Sequence, residues 1–546
     1  MARALLALPG LALALMCSSA SAEIVISKKP TQNMNCNAGV CIPTAQNAVL
    51  NVGDLTSMLA AGDLTVQSGN GDGTAAAITI ADGFSWTNTS RLTLIAKKDI
   101  TVKARVAVAG TGALTINYNV GKTNGDFTFA RKGKINFWDM SSNLVINGTS
   151  YTIVGDIATL AGDIAANPSA SYALANDLDE GGKIYKQLVI STPLSGMLTG
   201  LGHVIANLSI NVGSPSGSFI YKIDAGGGLR DIAFQNASIL RAGRSLQPGA
   251  LIRYNSGTIA NVSVTGQFYG DYYASGLVGT NESSGLIRNA KVSGTISGAG
   301  YVGGIAGYNS GTITNSSASG SLGGGLPTAC TTPHSGALVG VNSGTIVLSH
   351  ASTNVDGHWG EYKKEGCEIY AKAGGLAGSN YGSIDRSFAT GSVTAREMSY
   401  VGGLAGYTSS SGTITNAYSV GSAHAITDRT RVGGFTGYNT GPIASSYSTG
   451  AASGGDADSD CQTGGFIGCD SAAGGSIASA YWDLDTSGIS DPSQGAGNIA
   501  NDPGITGLTD AELKSGLPDG FDPDVWGSDP DINNGYPYLR ANPPTK

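Results

Sequence analysis

The chain has 546 residues, with 82 glycines, 13% charged residues and 41% hydrophobic residues. It is too apolar for a disordered protein and too rich in glycine for an ordinary helical domain, so its composition favours a turn-dense β architecture. The net charge of -8, without clusters of lysine or arginine, excludes electrostatic binding to nucleic acid or to an anionic membrane surface.

Residues 1–22 have the pattern of a secretory signal peptide. Arg3 is basic, Leu5 to Met16 form an apolar run, and Ala20-Ser21-Ala22 is a small-residue cleavage site. We therefore expect a secreted protein that is extracellular or held on the outer cell surface. The remaining sequence contains no apolar run of about 18 residues, so it predicts no transmembrane segment.

Residues 23–145 are predicted to form an N-terminal cap and β-helical coils. Cys36 and Cys41 are close enough in sequence to form a disulfide that pins the cap, which ends near Pro43. After the cap, short runs of alternating apolar and polar residues predict strands separated by glycine turns. Residues 146–247 are predicted to form lead-in coils with one short helix, from Asp156 to Ala166.

A degenerate phrase recurs eight times in residues 248–482: Gly-apolar-x-Gly, a polar turn with Asn and Gly, then Ile and a small polar strand. Its clearest copies are Gly304–Ile313, Gly375–Ile384 and Gly434–Ile443. Adjacent copies are 26 residues apart between Arg253 and Gly279, and 38 apart between Gly340 and Gly378. This variation indicates a constant structural unit joined by loops of changing length.

A single unit of this kind cannot bury its apolar face, whereas stacked units share a continuous interior. We therefore predict an all-β fold, a right-handed parallel β-helix with short capping segments. Glycine would supply the positive φ and the close backbone approach at the corners. The recurring asparagines would either form a stacked polar ladder or act only as turn formers. These are Asn255, Asn309, Asn342, Asn380 and Asn439.

Two loops, 320–335 and 354–372, interrupt the repeat, and loops that leave a solenoid are common binding surfaces. Cys330 and Cys367 lie within these loops, and we predict a disulfide that joins them. The alternative for these two cysteines is a zinc site with a neighbouring histidine near each. Those histidines are His334 and His358.

The segment near residue 460 holds a further cysteine pair and a cluster of acidic residues. Cys461 and Cys469 predict a third disulfide. Asp456, Asp458 and Asp460 alternate along a loop, a spacing that brings three carboxylates together and suggests a calcium site. The alternative is a charged loop that faces solvent. No other cofactor is indicated.

Residues 483–546 are predicted to form a C-terminal capping tail that covers the open end of the last coil. Thr509 and Glu512 have the spacing of a capping box, and Gly516 can end the short helix that follows. Aromatic and aliphatic residues further along would plug the final coil. These are Trp526, Tyr536, Tyr538 and Leu539.

The repeat phrase, together with Ser446–Gly450, resembles the GLUG repeat of filamentous haemagglutinin-like exoproteins. Segments on either side are similar to the coils that precede and follow such repeats. These are Tyr172–Asp179, Gly200–Leu208, Ser479–Asp483 and Gly535–Leu539. The resemblance implies that residues 248–482 are a GLUG-repeat β-helix, and that the protein is an exposed adhesin or matrix protein.

We therefore expect an adhesin that attaches to glycans, matrix or other cells without catalysis, with a glycan or a host or cell-surface receptor as its partner. The alternative is a β-helical polysaccharide lyase or glycoside hydrolase, because such enzymes carry carboxylates and basic residues on one face of the coils. Candidate catalytic residues are sparse. His350 and the Asp385-Arg386 pair are each solitary in the sequence, as surface residues usually are.

Overall fold

The computed structural model describes residues 22–69, 75–130, 132–212, 217–241, 249–270, 272–324, 332–357, 370–396, 398–427, 429–455, 461 and 463–544. The chain is 51% strand and 6% helix, and it forms a parallel β-solenoid of about 15 turns, which confirms the predicted fold class. It divides into two compact units, Met1–Ser150 and Tyr151–Lys546.

The first unit consists of short parallel strands and one helix. Its strands are β1 (Glu23–Ser27), β2 (Met34–Asn37), β3 (Val40–Pro43), β4 (Ala48–Asn51), β5 (Leu64–Gln67), β6 (Ala77–Ile80), β7 (Phe84–Trp86), β8 (Arg91–Ile95), β9 (Ile100–Val102), β10 (Arg105–Val108), β11 (Ala113–Asn117), β12 (Phe127–Phe129), β13 (Lys134–Phe137) and β14 (Asn143–Ile146). β1 lies between β4 and β6 in a parallel sheet, so it belongs to the coils rather than to a separate cap. β2 and β3 pair antiparallel, with Cys36 opposite Cys41.

The helix of the first unit, α1 (Val52–Ala61), was not predicted from the sequence. Its N-cap is Asn51, whose side-chain oxygen accepts a hydrogen bond from Gly53 N at 2.7 Å. Leu55 and Leu59 are one helical turn apart and both are fully buried. The capping asparagine and the spacing of the two leucines were both visible in the sequence.

The second unit begins with β15 (Thr149–Val154), α2 (Ile157–Ala166), β16 (Ser171–Leu174), β17 (Leu178–Asp179), β18 (Ile184–Tyr185), β19 (Met197–Thr199), β20 (Val204–Ala206), β21 (Ser209–Val212), β22 (Ile220–Ile223) and β23 (Gly228–Arg241). α2 confirms the predicted helix. Asp156 caps it by accepting a hydrogen bond from Thr159 N at 2.8 Å, and Ile157, Leu160 and Ile164 form its buried side.

The repeats comprise β24 (Ile252–Asn255), β25 (Thr258–Gly270), β26 (Tyr273–Ser275), β27 (Val278–Asn281), β28 (Leu286–Arg288), β29 (Lys291–Gly298), β30 (Tyr301–Gly303), β31 (Ala306–Asn309), β32 (Thr312–Thr314), β33 (Ser317–Gly324), β34 (His334–Gly336), β35 (Val339–Asn342), β36 (Thr345–Val347), β37 (His350–Ala351), β38 (Asn354–Gly357), β39 (Ala371–Gly374), β40 (Ala377–Asn380), β41 (Ser383–Ala389), β42 (Val393–Ala395), β43 (Ser399–Gly402), β44 (Ala405–Thr408), β45 (Thr413–Ser419), β46 (Ala423–Ala425), β47 (Arg431–Gly433), β48 (Thr436–Asn439), β49 (Ile443–Ser448), β50 (Ala452–Ser453), β51 (Ile467–Asp470) and β52 (Ile477–Asp483).

Equivalent strands of successive repeats pair in parallel and in register. One nine-stranded sheet has the order β22-β24-β27-β31-β35-β40-β44-β48-β51, and a six-stranded sheet has the order β26-β30-β34-β39-β43-β47. We call these sheet A and sheet B. In a further stack of strands the isoleucine that ends each repeat phrase meets its counterpart in the next repeat, as Ile313 meets Ile346 and Ile384 meets Ile414. These side chains are fully buried and form a continuous core.

The predicted roles of glycine and asparagine at the corners are partly reversed. The corner glycines such as Gly311 keep ordinary φ values, except Gly475 of the last copy, while a second corner in each coil has a positive φ at a non-glycine residue. Asn261, Asn289 and Asn315 adopt φ between 47° and 57° there. Gly311 is required for a different reason, because a Cβ atom on it would lie 2.2 Å from Gly285 O in the preceding coil. Glycine thus supplies the close approach, and asparagine supplies four of the eight left-handed residues at the second corner.

The recurring asparagines form the predicted ladder, and it lies inside the solenoid. Each side-chain amide in sheet A donates a hydrogen bond of 2.8 Å to the side-chain oxygen of the next one. This chain runs through Asn255, Asn281, Asn309, Asn342 and Asn380, all fully buried. Thr408 interrupts the ladder, and a second segment joins Asn439 to Asp470 at 2.9 Å. Asn281 was missed because its copy of the phrase is divergent.

The C-terminal tail contains β53 (Ile505–Leu508), α3 (Asp510–Lys514), β54 (Trp526–Gly527), a 3-10 helix (Asn533–Gly535) and β55 (Tyr538–Leu539). The capping box of α3 is confirmed, with Glu512 N donating to Thr509 Oγ1 and Thr509 N donating to Glu512 Oε2. Every helix in the part of the chain that the structure describes is too short or too polar to cross a bilayer.

β53 pairs in parallel with β52 and so covers the edge of the last coil, as expected for the tail. The rest of the tail covers the side of the coils, so the predicted plug is wrong in position. It packs over a stack of rings in successive coils that we call the covered column. The covered column consists of His350, Phe388, Tyr418, Tyr447 and Tyr481. Trp526 is fully buried against it and donates from Nε1 to Asn416 Oδ1 at 3.2 Å. Asn542 reaches Ser349 O and Arg386 O, several coils before the last.

Candidate ligand-binding face

Sheets A and B meet at a concave corner, and the second glycine of the Gly-apolar-x-Gly step makes this corner possible. A Cβ atom on Gly340 of sheet A would lie 2.7 Å from Val302 N of sheet B, and one on Gly378 would lie 2.7 Å from Ser335 N. Any larger residue would push the two sheets apart. The repeated glycine therefore brings the outward side chains of both sheets into contact.

Those side chains form a band that we call the tyrosine face. Sheet B contributes one column to it, in which each residue meets the next in register. This column is Tyr273, Tyr301, His334, Lys372, Tyr400 and Arg431. Sheet A contributes Tyr308, Tyr407 and Tyr438. Most of these rings are half-buried, so one side of the band is open to solvent.

One end of the tyrosine face is a cation–tyrosine cluster. It consists of Tyr370, Lys372, Tyr400, Tyr407, Arg431 and Tyr438. The Arg431 guanidinium lies 4.7 Å from the ring centre of Tyr438 and 5.1 Å from that of Tyr400. Lys372 Nζ lies 4.5 Å from the ring centre of Tyr407. Cations at these distances from aromatic rings are attracted to the ring faces.

The rings of this cluster are nearly parallel. Tyr400 and Tyr438 are 5.1 Å apart at an interplanar angle of 21°, and Tyr407 and Tyr438 are 5.8 Å apart at 17°. Arg431 also donates a hydrogen bond from Nη1 to Tyr400 Oη at 3.1 Å. These contacts hold the cation and the rings in one arrangement.

No carboxylate among the described residues lies within ion-pair distance of Lys372 or Arg431, and Arg253, over the rings of Tyr221 and Tyr254, resembles them in contacting tyrosines. By contrast, Lys222 on sheet A lies 3.3 Å from Glu282, and Arg386 lies 2.7 Å from Asp385. Burial lowers the pKa of Lys372 to about 8, so this side chain remains mostly protonated at pH 7. The cluster therefore presents positive charge on a protein whose net charge is -8.

The other end of the tyrosine face is mainly aromatic, although Lys372 meets His334 in register and Arg253 lies 5.0 Å from the ring centre of Tyr254, two strands before Tyr308 in sheet A. Tyr301 lies at its centre, 5.0 Å from Tyr272, 5.3 Å from Tyr273 and 4.9 Å from His334. Burial raises the pKa of Tyr273 to about 12, and it lowers the pKa of His334 well below its usual range. These side chains are neutral at physiological pH, so this end offers flat apolar surfaces and hydroxyl groups.

A shallow groove on another side of the coils is the second candidate. Its volume is about 530 Å³, and strands β29, β33, β38 and β42 line it. Its polar lining residues include Thr295, Ser321, Asn354 and Asp356. Asp356 is the one ionisable side chain among the described residues of this lining. Glycoside hydrolysis usually needs a pair of carboxyl groups.

Two of the three predicted disulfides are confirmed, Cys36–Cys41 and Cys461–Cys469. Cys330 and Cys367 lie outside the described residues, as do His358 and residues 1–21. His334, the other histidine proposed for zinc, is buried, and its Nδ1 lies 2.8 Å from Ser379 Oγ.

The predicted calcium ligands Asp456, Asp458 and Asp460 also lie outside the described residues. Within the described ranges, no three His, Cys, Asp or Glu side chains come together in a way that could hold a metal ion. The calcium site stays a prediction.

The candidate catalytic residues have structural partners. His350 stacks on Phe388 at 4.8 Å, and its Nδ1 lies 3.2 Å from Asn542 Oδ1. Asp385 accepts hydrogen bonds from Arg386, and also from Thr415 and Asn416 in the next coil. His350 thus belongs to the covered column, and Asp385 fixes a corner of the coil.

Comparison with known proteins supports the identity of the repeat. Residues 298–323 match the GLUG motif. A stretch of 94 residues, or 17% of the chain, is 37% identical to halomucin from Haloquadratum walsbyi. The match covers 1% of halomucin, so the chain spans a very small part of that relative. Neither match identifies a filamentous haemagglutinin specifically.

A solved structure from Bacteroides ovatus, provisionally assigned as an immunoglobulin A1 protease, matches 72% of this chain and 92% of its own length. The two chains are 16% identical and superpose with a TM-score of 0.32. At that TM-score the similarity carries no argument about fold or function.

The cations of the tyrosine face were missed in the sequence. Each residue of its sheet B column stands two positions before the first residue of a Gly-Gly, Ser-Gly or Gly-Ala pair, as in Lys372-Ala373-Gly374 and Arg431-Val432-Gly433. The position varies among Tyr, His, Lys and Arg, so it gave no repeating signal. Only the stacking of coils shows that these residues form one column.

Proposed function

We propose that this protein is an adhesin-type β-solenoid, secreted or held at the cell surface, that attaches to glycans through the tyrosine face without catalysis. The observation that carries the proposal is the array of half-exposed tyrosine rings, repeated from coil to coil across a concave corner. Flat aromatic faces are suited to packing against sugar rings, and hydroxyl groups beside them can bond sugar hydroxyls.

The repetition of the face supports attachment rather than tight binding of one small ligand. Strands of a sheet are spaced by about 4.8 Å, so a polymer that lies along the solenoid meets equivalent side chains at regular intervals. Many weak contacts then add to a useful avidity.

Three further observations support an exposed location. Residues 298–323 match the GLUG motif, the repeats resemble those of filamentous haemagglutinin-like exoproteins, and part of the chain is similar to halomucin. The disulfides Cys36–Cys41 and Cys461–Cys469 suit an oxidising compartment. The predicted signal peptide agrees with both.

The proposal is tested by a glycan array, run beside a product assay on the same glycans. We expect binding without turnover, and we expect Tyr407→Ala to weaken binding. Tyr269→Ala is the matched control, because Tyr269 is 42% exposed and lies on β25, outside the tyrosine face. Turnover of a bound glycan, or equal losses for the two variants, would count against the proposal.

A polysaccharide lyase or glycoside hydrolase is the second candidate, and the groove beside Asp356 is the observation that favours it. If the product assay shows turnover, Asp356→Asn should abolish that turnover while leaving the fold intact. Turnover that survives this substitution would place any catalysis elsewhere.

A further inference from the structure

The ionic surroundings of the cation–tyrosine cluster point to the chemistry of its ligand. Elsewhere in the described second unit, cations beside a carboxylate form ion pairs, as Lys514 does with Asp510 at 2.8 Å and Lys183 with Glu180 at 3.4 Å. Lys372 and Arg431 instead contact tyrosine rings, and Arg431 a tyrosine hydroxyl, and within the described ranges no ion pair joins either of them to a carboxylate. Their charge is left for a group outside the chain.

Keeping Lys372 in this position costs the folded state free energy. The side chain is largely removed from water without a carboxylate to compensate its charge, which is unfavourable for an ammonium group. A purely structural role in this place would be better served by an apolar residue of similar length. The unpaired cation is therefore explained by a ligand that brings a negative charge.

We propose that the cation–tyrosine cluster binds an acidic polysaccharide, with sugar rings packed on Tyr407 and Tyr438 and carboxylate or sulfate groups paired with Lys372 and Arg431. This inference rests on the proposed glycan-binding function and specifies its ligand class. Arg431 retains free N–H donors beside the one that bonds Tyr400, and a guanidinium can bond a carboxylate or a sulfate through two of them.

The distribution of charge along the tyrosine face sharpens the proposal. The two cations lie at the end formed by β39, β43 and β47, whereas the end around Tyr301 has neutral side chains. A polymer bound along the whole face would therefore form ion pairs at one end and ring contacts at the other. Loss of the cations should remove the preference for acidic over neutral saccharides without removing all affinity for saccharides.

The test measures binding of the full chain by calorimetry to two matched pairs of probes. One pair is an oligogalacturonate and its carboxyl-reduced form, and the other is dextran sulfate and dextran. We expect at least one acidic probe to bind about tenfold more tightly than its neutral counterpart, with affinity that falls as salt rises. Polyglutamate, a polyanion without sugar rings, should bind more weakly than the acidic saccharide.

The variants separate charge from shape. Lys372→Met with Arg431→Gln keeps most of the side-chain volume and should reduce the affinity for the acidic probe by about tenfold, leaving the neutral probe unchanged. Lys222→Met is the matched control, because Lys222 lies on sheet A, outside the cation–tyrosine cluster, and is paired with Glu282. If the double variant fails to fold, the same binding measurement is made on Arg431→Lys, which keeps the positive charge.

Each outcome decides the question. Equal binding of acidic and neutral probes would overturn this inference and leave the proposed function standing. Binding of none of the saccharides would overturn both. Tighter binding of polyglutamate, or acidic binding that the double variant does not reduce, would show that the cluster is not an acidic-saccharide site.

Discussion

Two columns of aromatic side chains run through the same repeats, and they differ in what lies over them. The covered column, with Phe388, Tyr418 and Tyr447 stacked 4.7 to 5.1 Å apart, is buried beneath the C-terminal tail. The tyrosine face has similar ring spacings, but its rings are half-exposed and two cations lie among them. A stacked aromatic column is therefore not by itself a binding surface, and the absence of a cover within the described chain distinguishes the second column.

The largest effect is expected when removal of the tail exposes the covered column to solvent. Deleting residues 509–546 leaves β53 in place, because Ile505–Leu508 pairs with β52, but it removes the buried cover residues such as Trp526 and Leu539. We expect the exposed apolar stripe to cause aggregation, which light scattering and analytical ultracentrifugation would detect. A soluble, monomeric truncation with unchanged melting would show that the tail is dispensable.

A single substitution should give a smaller effect of the same sign. Trp526 is fully buried on Tyr418 and Tyr447, so Trp526→Ala should lower the free energy of unfolding by about 3–5 kcal/mol. Tyr438→Ala, on the half-exposed face, should change it by less than about 1 kcal/mol. Urea unfolding measures both, and equal losses would mean that the two columns are equally integral to the fold.

Removing a tyrosine hydroxyl should have different effects on stability at two neighbouring positions of the covered column. Tyr447 Oη donates to Pro537 O at 2.6 Å and accepts from Asn533, so Tyr447→Phe should cost about 1–2 kcal/mol. The buried Tyr418 hydroxyl has no hydrogen-bond partner among the described residues, so Tyr418→Phe should be neutral or stabilising. Thermal melting would compare them, and a larger loss for Tyr418→Phe would contradict this assignment of partners.

The smallest expected effect is a dependence on pH at the end of the covered column. Burial lowers the pKa of His350, so the unfolded chain binds a proton there more readily than the folded chain does. The contribution of His350 to stability is therefore lost as pH falls below about 6.5. His350→Phe should extend the ring stack and reduce the loss of stability between pH 7 and pH 5, measured by urea unfolding. An unchanged pH dependence would contradict this role.

The solenoid and its asparagine ladder were predictable because each depends on a residue that recurs in the phrase. Asn309 and Ile313 stand at fixed positions from the repeat glycines, so stacking of the phrase places them in columns. The path of the tail could not be predicted in the same way. Its contacts join Trp526 to Asn416 and Asn542 to Ser349, pairs that no repeat relates.

The tyrosine face was predictable from the sequence only in part. Tyr308 and Tyr438 occupy the same place in the phrase, so their recurrence was visible in the sequence. Their proximity to Tyr301 and Arg431 depends on the angle at which sheets A and B meet. That angle follows from glycines whose neighbours lie in other strands, such as Gly340 beside Val302. A residue pattern along one strand does not contain this information.

The buried amides of sheet A also give the solenoid a direction. Each one donates its N–H to the following coil, so every segment of the ladder needs an acceptor at its far end. The two segments end differently: Asn380, beside Thr408, donates to the backbone carbonyl of Thr413 at 3.2 Å, whereas Asn439 donates to a side-chain oxygen of Asp470. Either acceptor ends a segment without ending the coils, because β53 still pairs with β52 after Asp470. The column therefore requires an oxygen, and not one particular residue, wherever the asparagines stop.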